Sequence, residues 1–169
     1  RDVQIAFANE IGLLCERLGA DAFEVRRLVN TCPFRDMHIP GAGVGGHCLP
    51  KDPWLLLSSV PDYDSKVIAP SRGLNESMPS HTSDLARSLL EKYVHGFVPK
   101  VAIMGLAFLR DSDDTRNSPA IRIIDEMAGV ADLIVHDPYV KRPYRAPMTQ
   151  DVEEALRDAD CAIFVTDHT

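Results

Sequence analysis

The chain has 169 residues and a mass of 18.7 kDa, which suits one large domain or two small ones. Its 45% hydrophobic and 25% charged residues are a globular composition, which excludes disordered, collagen-like and coiled-coil proteins. The net charge of −7 argues against a general binder of nucleic acid or of anionic membranes. The longest apolar run, residues 101–108, is far below the ~18 residues that span a bilayer.

Cysteine usage predicts a protein without disulfides. The four cysteines are scattered along the chain without a C-x-x-C pair, too few for a disulfide scaffold. No H-x-x-x-H motif accompanies them, so we expect reduced thiols, a cytoplasmic protein and no bound metal. The sequence shows no signal peptide, and a helical pattern already runs at Val3, which predicts a piece of a longer chain.

The first 95 residues predict a helical region. Apolar residues from Val3 to Leu18 recur every three or four positions, as on one face of a helix, and Gly19 ends it. Asp21 begins a second helix as its N-cap, and Pro33 stops that helix. Three residues of the second helix are expected to point inward: Val25, Leu28 and Val29.

A long loop separates these helices from further helical segments. The loop covers residues 40–53 and is rich in glycine and proline. Residues 54–60 form a short apolar segment, helical or irregular, and residues 64–95 have helical spacing with Pro79 in the interior. An interior proline removes one backbone hydrogen bond from such a helix.

The region 96–169 changes character and predicts an α/β domain. A β-branched run at residues 100–104 is a buried strand, and further strands are expected at 133–136 and 161–165. Helices are expected to begin at Ser118-Pro119, with Ile121, Ile124 and Met127 buried, and to cover residues 151–158. This alternation implies a parallel sheet, and its three strands are so few that we expect a truncated domain.

The loop contains a G-x-G-x-x-G motif at residues 41–46. This motif binds a dinucleotide only where a strand leads into it and a helix leaves it. Residues 33–40, directly before it, are no buried strand, so we reject a dinucleotide site here. The glycines instead allow the backbone to approach a ligand closely.

Cys48 follows the glycines beside a helix start, where unpaired N–H groups favour the thiolate form. Asp52 lies four residues further on, within reach of the thiol if a helical turn forms. A thiolate and a carboxylate at that spacing suit covalent catalysis followed by activation of a water. The residues leave one alternative open, a buried cysteine in a tight turn.

Residues 43–54, GVGGHCLPKDPW, resemble the active-site loop of the UDP-glucose/GDP-mannose dehydrogenase family. His47 is similar to the branch that oxidises UDP-N-acetylmannosamine and related N-acetylhexosamines, whereas UDP-glucose enzymes more often carry serine there. Residues 105–108 and 113–119 resemble the UDP-binding loop of the family, and the resemblance extends over the whole chain. It implies an all-α central dimerisation domain (residues 1–95) and a truncated, Rossmann-like parallel α/β domain that binds UDP (residues 96–169).

The resemblance implies oxidation of the C6 alcohol of a UDP-sugar to a carboxylate, with two NAD⁺. Cys48 is then the nucleophile, Asp52 orients or deprotonates a water, and Lys51 contacts NAD. The substrate-binding residues that the resemblance implies are Gly43, Val44, Gly45, Gly46, His47, Arg35, Phe108, Arg110 and Arg116. It also implies a homodimer formed through the helical domain.

The chain departs from the family pattern at two positions. Leu109 stands where family members usually carry lysine. Arg110 follows it, but an arginine is not equivalent to a lysine as a hydrogen-bond donor. Phe34 stands where many family members carry arginine. Arg35, the next residue, is the candidate to replace that arginine. For Arg116 the adjacent acidic residues favour a structural ion pair over a phosphate contact.

In the family the NAD-binding domain precedes the position of Arg1, so we expect this chain alone to be inactive and to bind NAD poorly. Other functions stay open. A non-catalytic module for oligomerisation and nucleotide binding, or a UDP-glucose 6-dehydrogenase, would keep most of these features. An unrelated cysteine hydrolase would need a histidine base paired with Cys48.

Overall fold

The computed structural model describes all residues from 1 to 169, in two compact units. The helical unit comprises residues 1–41 and 48–78, and the sheet unit comprises residues 42–47 and 79–169. The helices are α1 (Asp2–Leu18), α2 (Ala22–Val29), α3 (Cys48–Ser58), α4 (Ile68–Tyr93), α5 (Pro119–Met127) and α6 (Val152–Leu156). The strands are β1 (Lys100–Met104), β2 (Asp132–His136), β3 (Met148–Thr149) and β4 (Cys161–Phe164).

The predicted caps of α1 and α2 are confirmed. Gly19 ends α1 in the left-handed conformation, with φ of 65°, and its N–H donates to the carbonyl of Glu16. The Asp21 carboxylate accepts the N–H groups of Phe23 and Glu24 at the start of α2. α1 therefore ends, and α2 begins, at a residue whose type favours the backbone conformation needed there.

The inward orientation predicted for α2 is wrong for Leu28 and Val29, which are 54% and 38% exposed, while Val25 is half-buried. This helix has only eight residues and packs mainly against α1, so little of its apolar surface is covered. Pro33 does not end α2 as predicted, because the helix already ends at Val29, with Asn30 as its C-cap.

The helix α3 begins at Cys48, well before the apolar segment 54–60 that the sequence marks. Pro53 lies inside α3, and Pro79 lies inside α4 as predicted. Because Pro53 has no N–H, the carbonyl of Leu49, four residues earlier, has no helical partner. That carbonyl must find another donor if it is to be paired.

The sheet unit contains one parallel sheet of strand order β3-β2-β1-β4, which confirms the predicted α/β class. β1 is central, and its Ala102 lies opposite Ile134 of β2 and Ala162 of β4. The sheet has four strands rather than the three predicted. β3 has only two residues, too few to leave a pattern in the sequence.

The helix α5 packs its apolar side into the core of the sheet unit. Ser118 caps it by accepting the N–H of Ala120, as predicted. Of the predicted stripe, Ile124 and Met127 are fully buried, but Ile121 is only half-buried. The largest fully buried apolar side chains of this core are Val101, Ile103, Leu106, Ile123, Ile124, Met127 and Val135.

Asp137 joins the turns that follow β1 and β2. One carboxylate oxygen accepts the N–H groups of Leu106 and Ala107 at 2.8 and 2.9 Å, and the other accepts those of Tyr139 and Val140, both at 2.9 Å. Burial alone would raise the pKa of this carboxyl group, but the four N–H donors outweigh it and hold the pKa below its ordinary value. The predicted strand at 133–136 ends directly before Asp137, and no local pattern marks the contacts of this carboxylate.

No helix of the structure combines the length and the apolar character needed to cross a lipid bilayer.

Replacing Asp137 by asparagine should lower the free energy of unfolding by about 2–3 kcal/mol at neutral pH, because the new NH₂ group would face two N–H donors. The folded pKa of Asp137 is depressed, so its contribution is complete above the unfolded pKa of about 3.9 and disappears as pH falls through the folded pKa. The difference between wild type and Asp137→Asn should therefore narrow on acidification. Urea unfolding of both proteins at a series of acidic pH values measures this difference in the free energy of unfolding.

Asp113→Asn is the matched control, since Asp113 is exposed and lies on the loop after β1. It should leave stability near that of the wild type at every pH. Equal stability of the Asp137 variant and the control, or a difference that does not change with pH, would contradict the role given to Asp137.

Candidate active site

Cys48 is exposed and occupies the first residue of α3, so the predicted position beside a helix start is confirmed. Asp52 follows one helical turn later, also exposed, and its carboxylate lies 3.4 Å from Nζ of Lys51. Such an exposed pair contributes little stability and leaves the carboxylate open to water. The alternative of a buried cysteine is wrong, because this thiol is exposed.

The glycine segment, residues 42–47, is held within the sheet unit by the loop that follows β1. The N–H of Gly46 donates to the carbonyl of Arg116 at 2.8 Å, and the side-chain amide of Asn117 donates to the carbonyl of Gly46 at 2.8 Å. Both backbone groups of Gly46 are thus paired with neighbours on the loop. The resemblance named these two segments separately, and the structure brings them together.

The close packing of Phe108 on the segment explains two of the glycines. A Cβ atom placed on Gly45 would lie 2.3 Å from Cβ of Phe108 and 3.0 Å from the carbonyl oxygen of Asn117. On Gly46, whose φ is 87°, it would lie 3.0 Å from the Phe108 ring. Any other residue at Gly45 would push the two segments apart.

The other predicted substrate residues are distributed over both units. Gly43 lies against Pro79 in the sheet unit, Val44 is half-buried and His47 is exposed. Arg35 belongs to the helical unit, where it is exposed in the turns after α2. The structure therefore brings together the glycines, Phe108 and Arg116, and assigns Arg35 to a separate unit.

Both arginines of the loop after β1 have acidic partners. Nη2 of Arg116 lies 2.6 Å from the Asp114 carboxylate, and this pairing lowers the pKa of Asp114. The acidic partner that the sequence indicated for Arg116 is thus present, and its contact with substrate stays a prediction. Arg110 is half exposed and lies 3.8 Å from Asp111 and 3.7 Å from Asp167, too far for hydrogen bonds.

Two residues that hold this loop were missed by sequence reasoning. Asn117 adopts a positive φ of 50°, which its short polar side chain tolerates, and this preference was the available signal. Thr166, after β4, donates its hydroxyl to the carbonyl of Ala107 at 2.6 Å. It comes from a distant part of the sequence, and no local pattern marks it.

The glycine motif at residues 41–46 lacks the setting of a dinucleotide site. No strand leads into it, and Phe108 packs closely against Gly45 and Gly46. No group of three or more histidine, cysteine, aspartate or glutamate side chains is placed to hold a metal ion. The rejection of a dinucleotide site at residues 41–46 is therefore supported by the packing.

Comparison with known proteins gives consistent matches. Residues 1–77 match the central domain of the UDP-glucose/GDP-mannose dehydrogenase family, and residues 102–169 match its UDP binding domain. A UDP-N-acetyl-D-mannosamine dehydrogenase of Pyrococcus horikoshii is 40% identical over 99% of this chain, and a solved structure of that enzyme superposes with a TM-score of 0.88. An NDP-N-acetyl-D-galactosaminuronic acid dehydrogenase of Methanosarcina mazei Go1 superposes over 100% of the chain at 34% identity, with a TM-score of 0.90.

These matches define the class as nucleotide-sugar dehydrogenases, which are oxidoreductases. Since two consecutive domain profiles of one family match most of its residues, the chain belongs to the UDP-glucose/GDP-mannose dehydrogenase family. The chain spans 39% of the length of each of the two relatives described above.

Gly45→Ala should lower the free energy of unfolding by about 1–3 kcal/mol, because the added methyl group overlaps Phe108. Gly41→Ala is the matched control, since nothing lies within 4 Å of a Cβ placed there. Thermal unfolding followed by circular dichroism compares the two. The double variant with Gly45→Ala and Phe108→Ala should lose less free energy of unfolding than the two single variants lose together. Equal melting temperatures of the two glycine variants would contradict the packing argument.

Proposed function

We propose that the chain is the central and C-terminal part of a nucleotide-sugar 6-dehydrogenase that acts on UDP-N-acetylmannosamine. The observation that carries the proposal is the exposed thiol of Cys48 at the start of α3, directly after the glycine segment. The 40% identical relative, a UDP-N-acetyl-D-mannosamine dehydrogenase, supports this substrate. His47, the residue before the thiol, supports an N-acetylhexosamine as well.

The chemistry follows from the thiol and a carboxylate. After the C6 alcohol has been oxidised to an aldehyde, the Cys48 thiolate adds to the aldehyde carbon and forms a thiohemiacetal. Loss of a second hydride gives a thioester. Asp52 takes a proton from a water, which attacks the thioester, and the sugar carboxylate leaves as the C–S bond breaks. The thiolate is regenerated for the next cycle.

The nucleotide part of the substrate is assigned to the sheet unit. We infer that UDP binds at the carboxyl ends of the parallel strands, where ligands of such sheets bind, on the loop after β1. Phe108 and Arg110 lie on this loop, and Arg116 shapes it through its pair with Asp114. The further residues proposed for the substrate are Gly43, Val44, Gly45, Gly46, His47 and, in the helical unit, Arg35.

The hydride acceptor is NAD⁺ in this proposal. Since the glycine motif lacks the setting of a dinucleotide site, we infer that NAD is held mainly by residues outside this chain, with Lys51 as a contact. All four cysteines are free thiols, which supports our proposal of a cytoplasmic reaction. A homodimer is proposed through the exposed apolar side chains of α1, which include Phe7, Leu14 and Leu18, 57%, 49% and 79% exposed.

One observation favours a second candidate, a non-catalytic module for oligomerisation and nucleotide binding. Leu109 is 53% exposed at the position where family members usually carry lysine, and both neighbouring arginines have acidic partners. A site with so little free positive charge could have lost its catalytic use. A UDP-glucose 6-dehydrogenase differs from the main proposal only in its sugar.

UDP binding can be measured on the 169-residue chain by calorimetric titration. UDP should bind at least ~10-fold more tightly than UMP, since the second phosphate adds charge-assisted hydrogen bonds. Gly45→Ala should weaken binding, whereas Gly41→Ala should not. Absence of UDP binding to the folded chain would remove both the enzyme and the nucleotide-binding module from consideration.

The reaction is tested on the complete open reading frame that encodes these residues. Two NADH per molecule of UDP-N-acetylmannosamine should form, and Cys48→Ser should lower kcat by ~10³-fold or more through loss of the nucleophile. Cys32→Ser is the matched control, because Cys32 is also an exposed thiol. Parallel assays with UDP-glucose and UDP-N-acetylgalactosamine show which sugar the enzyme oxidises. NADH formed by the 169-residue chain alone would contradict the inference about NAD.

A further inference from the structure

A buried polar cluster joins α1 to α4 within the helical unit. It consists of Asp2, Asn9, Arg72 and Asn75, each at most 6% exposed. Nη1 of Arg72 and Nδ2 of Asn75 donate to the same carboxylate oxygen of Asp2, at 2.5 and 2.8 Å. Oδ1 of Asn75 accepts from Nδ2 of Asn9 at 2.9 Å, so the four side chains form one continuous network.

One end of the polar cluster binds the first turn of α3. Nη1 of Arg72 also donates to the carbonyl of Leu49 at 3.2 Å, next in sequence to Cys48. This carbonyl is free for Arg72 because Pro53, its partner in a regular helix, has no N–H. Arg72 thus replaces the hydrogen bond that the proline removes.

A second contact supports α3 one turn later. Nε of Arg72 lies 3.2 Å from Oε1 of Glu76, an ion pair without hydrogen-bond geometry, and that same oxygen accepts the indole N–H of Trp54 at 3.2 Å. Arg72 therefore contacts α3 directly at Leu49 and through Glu76 at Trp54. Two contact points a turn apart restrain the direction of the helix as well as its position.

The other end of the polar cluster binds the backbone before the glycine segment. Oδ1 of Asn9 accepts the N–H of Gly41 at 2.9 Å. The cluster consequently holds Gly41 and Leu49, the residues on either side of 42–48. The two anchored residues belong to the helical unit, and the chain between them contains both the glycine segment and the thiol.

Stability alone does not explain the polar cluster. A buried ion pair gains little net free energy, because desolvation of both charges offsets their attraction. The second carboxylate oxygen of Asp2 is buried without any hydrogen-bond partner, which adds a further cost. What the network does supply is defined geometry at Gly41 and at Leu49.

We propose that Arg72 and Asn9 are positioning residues for Cys48. The inference rests on the proposed function, in which the Cys48 thiol attacks a carbonyl carbon. The polar cluster fixes the backbone at both ends of residues 42–48, so that the thiol at the start of α3 is held in one direction. Arg72 and Asn9 themselves act through the backbone and touch no reacting atom in this mechanism.

Hydrogen exchange of the 169-residue chain tests the anchoring without any activity. Arg72→Lys keeps a positive charge beside Asp2 but loses the planar fork that reaches several acceptors at once. If the cluster is one unit, the Gly41 amide should exchange at least ~10-fold faster in Arg72→Lys, although its own acceptor, Asn9, is unchanged. Ala8→Gly is the matched control, since it weakens α1 at a buried residue outside the cluster.

Kinetics of the complete open reading frame test the positioning. Asn9→Ala and Arg72→Lys should lower kcat by about 10²-fold with little change in KM, as misplacement of a reacting group does. Ala8→Gly should leave both constants near the wild-type values. A role in stability alone would lower the melting temperature in all three variants without separating kcat from KM.

Pro53→Ala should fold even if Asn9→Ala and Arg72→Lys do not, because alanine is favoured over proline inside a helix. Its new N–H competes with Arg72 for the carbonyl of Leu49, so kcat should fall while the melting temperature does not. An unchanged kcat in Pro53→Ala and Arg72→Lys, or unchanged exchange of Gly41, overturns the positioning role. Absence of NADH from the wild type overturns the proposed function, whereas the exchange result still decides whether the cluster anchors Gly41.

Discussion

Buried backbone groups must be paired, and in this chain a few buried side chains pair the groups that helices and strands leave over. Asp137 takes four N–H groups from the turns after β1 and β2, and its carboxylate keeps a low pKa despite burial. Arg72 takes the carbonyl that Pro53 leaves open, and Asn9 takes the N–H of Gly41. In the helical unit this backbone is held by side chains of α1 and α4, and in the sheet unit by the side chain of Asp137, directly after β2.

The glycine segment follows the same constraint in a different way. Its backbone is paired with the loop after β1 through Gly46, and the close approach of Phe108 requires that Gly45 carry no side chain. A motif that literally matches a dinucleotide fingerprint thus serves packing between two loops.

Sequence reasoning succeeded where a signal is local. Gly19, Asp21 and Ser118 mark helix ends through their own backbone preferences, and the run that forms β1 is apolar enough to predict a buried strand. It failed for the exposure of Leu28, because that depends on what packs against α2. Glycine and cysteine residues of the candidate site were found through a long motif.

The supports of the site could not be found in that way. Arg72 contacts Asp2 across a separation of 70 residues, and Asn75 contacts it across 73, so no window of sequence contains both partners. Asp137 lies 30 residues or more from the N–H groups of Leu106 and Ala107. Arg72 and Asn75 do resemble residues of the long connecting helix of the family, but their contacts with Asp2 emerge only from the fold.

Charge sets the last requirement on the proposed site. The net charge is −7, and the two arginines on the loop after β1 already face Asp114, Asp111 and Asp167, so little free positive charge is available for a diphosphate. Under the proposed function backbone N–H groups then share in holding the anion, and their dipoles act only over short distances and only in a fixed direction. A site of this kind depends on rigid backbone more than on charge. Polar side chains that hold loops in place, such as the buried Asp137 and the exposed Asn117, fit this requirement.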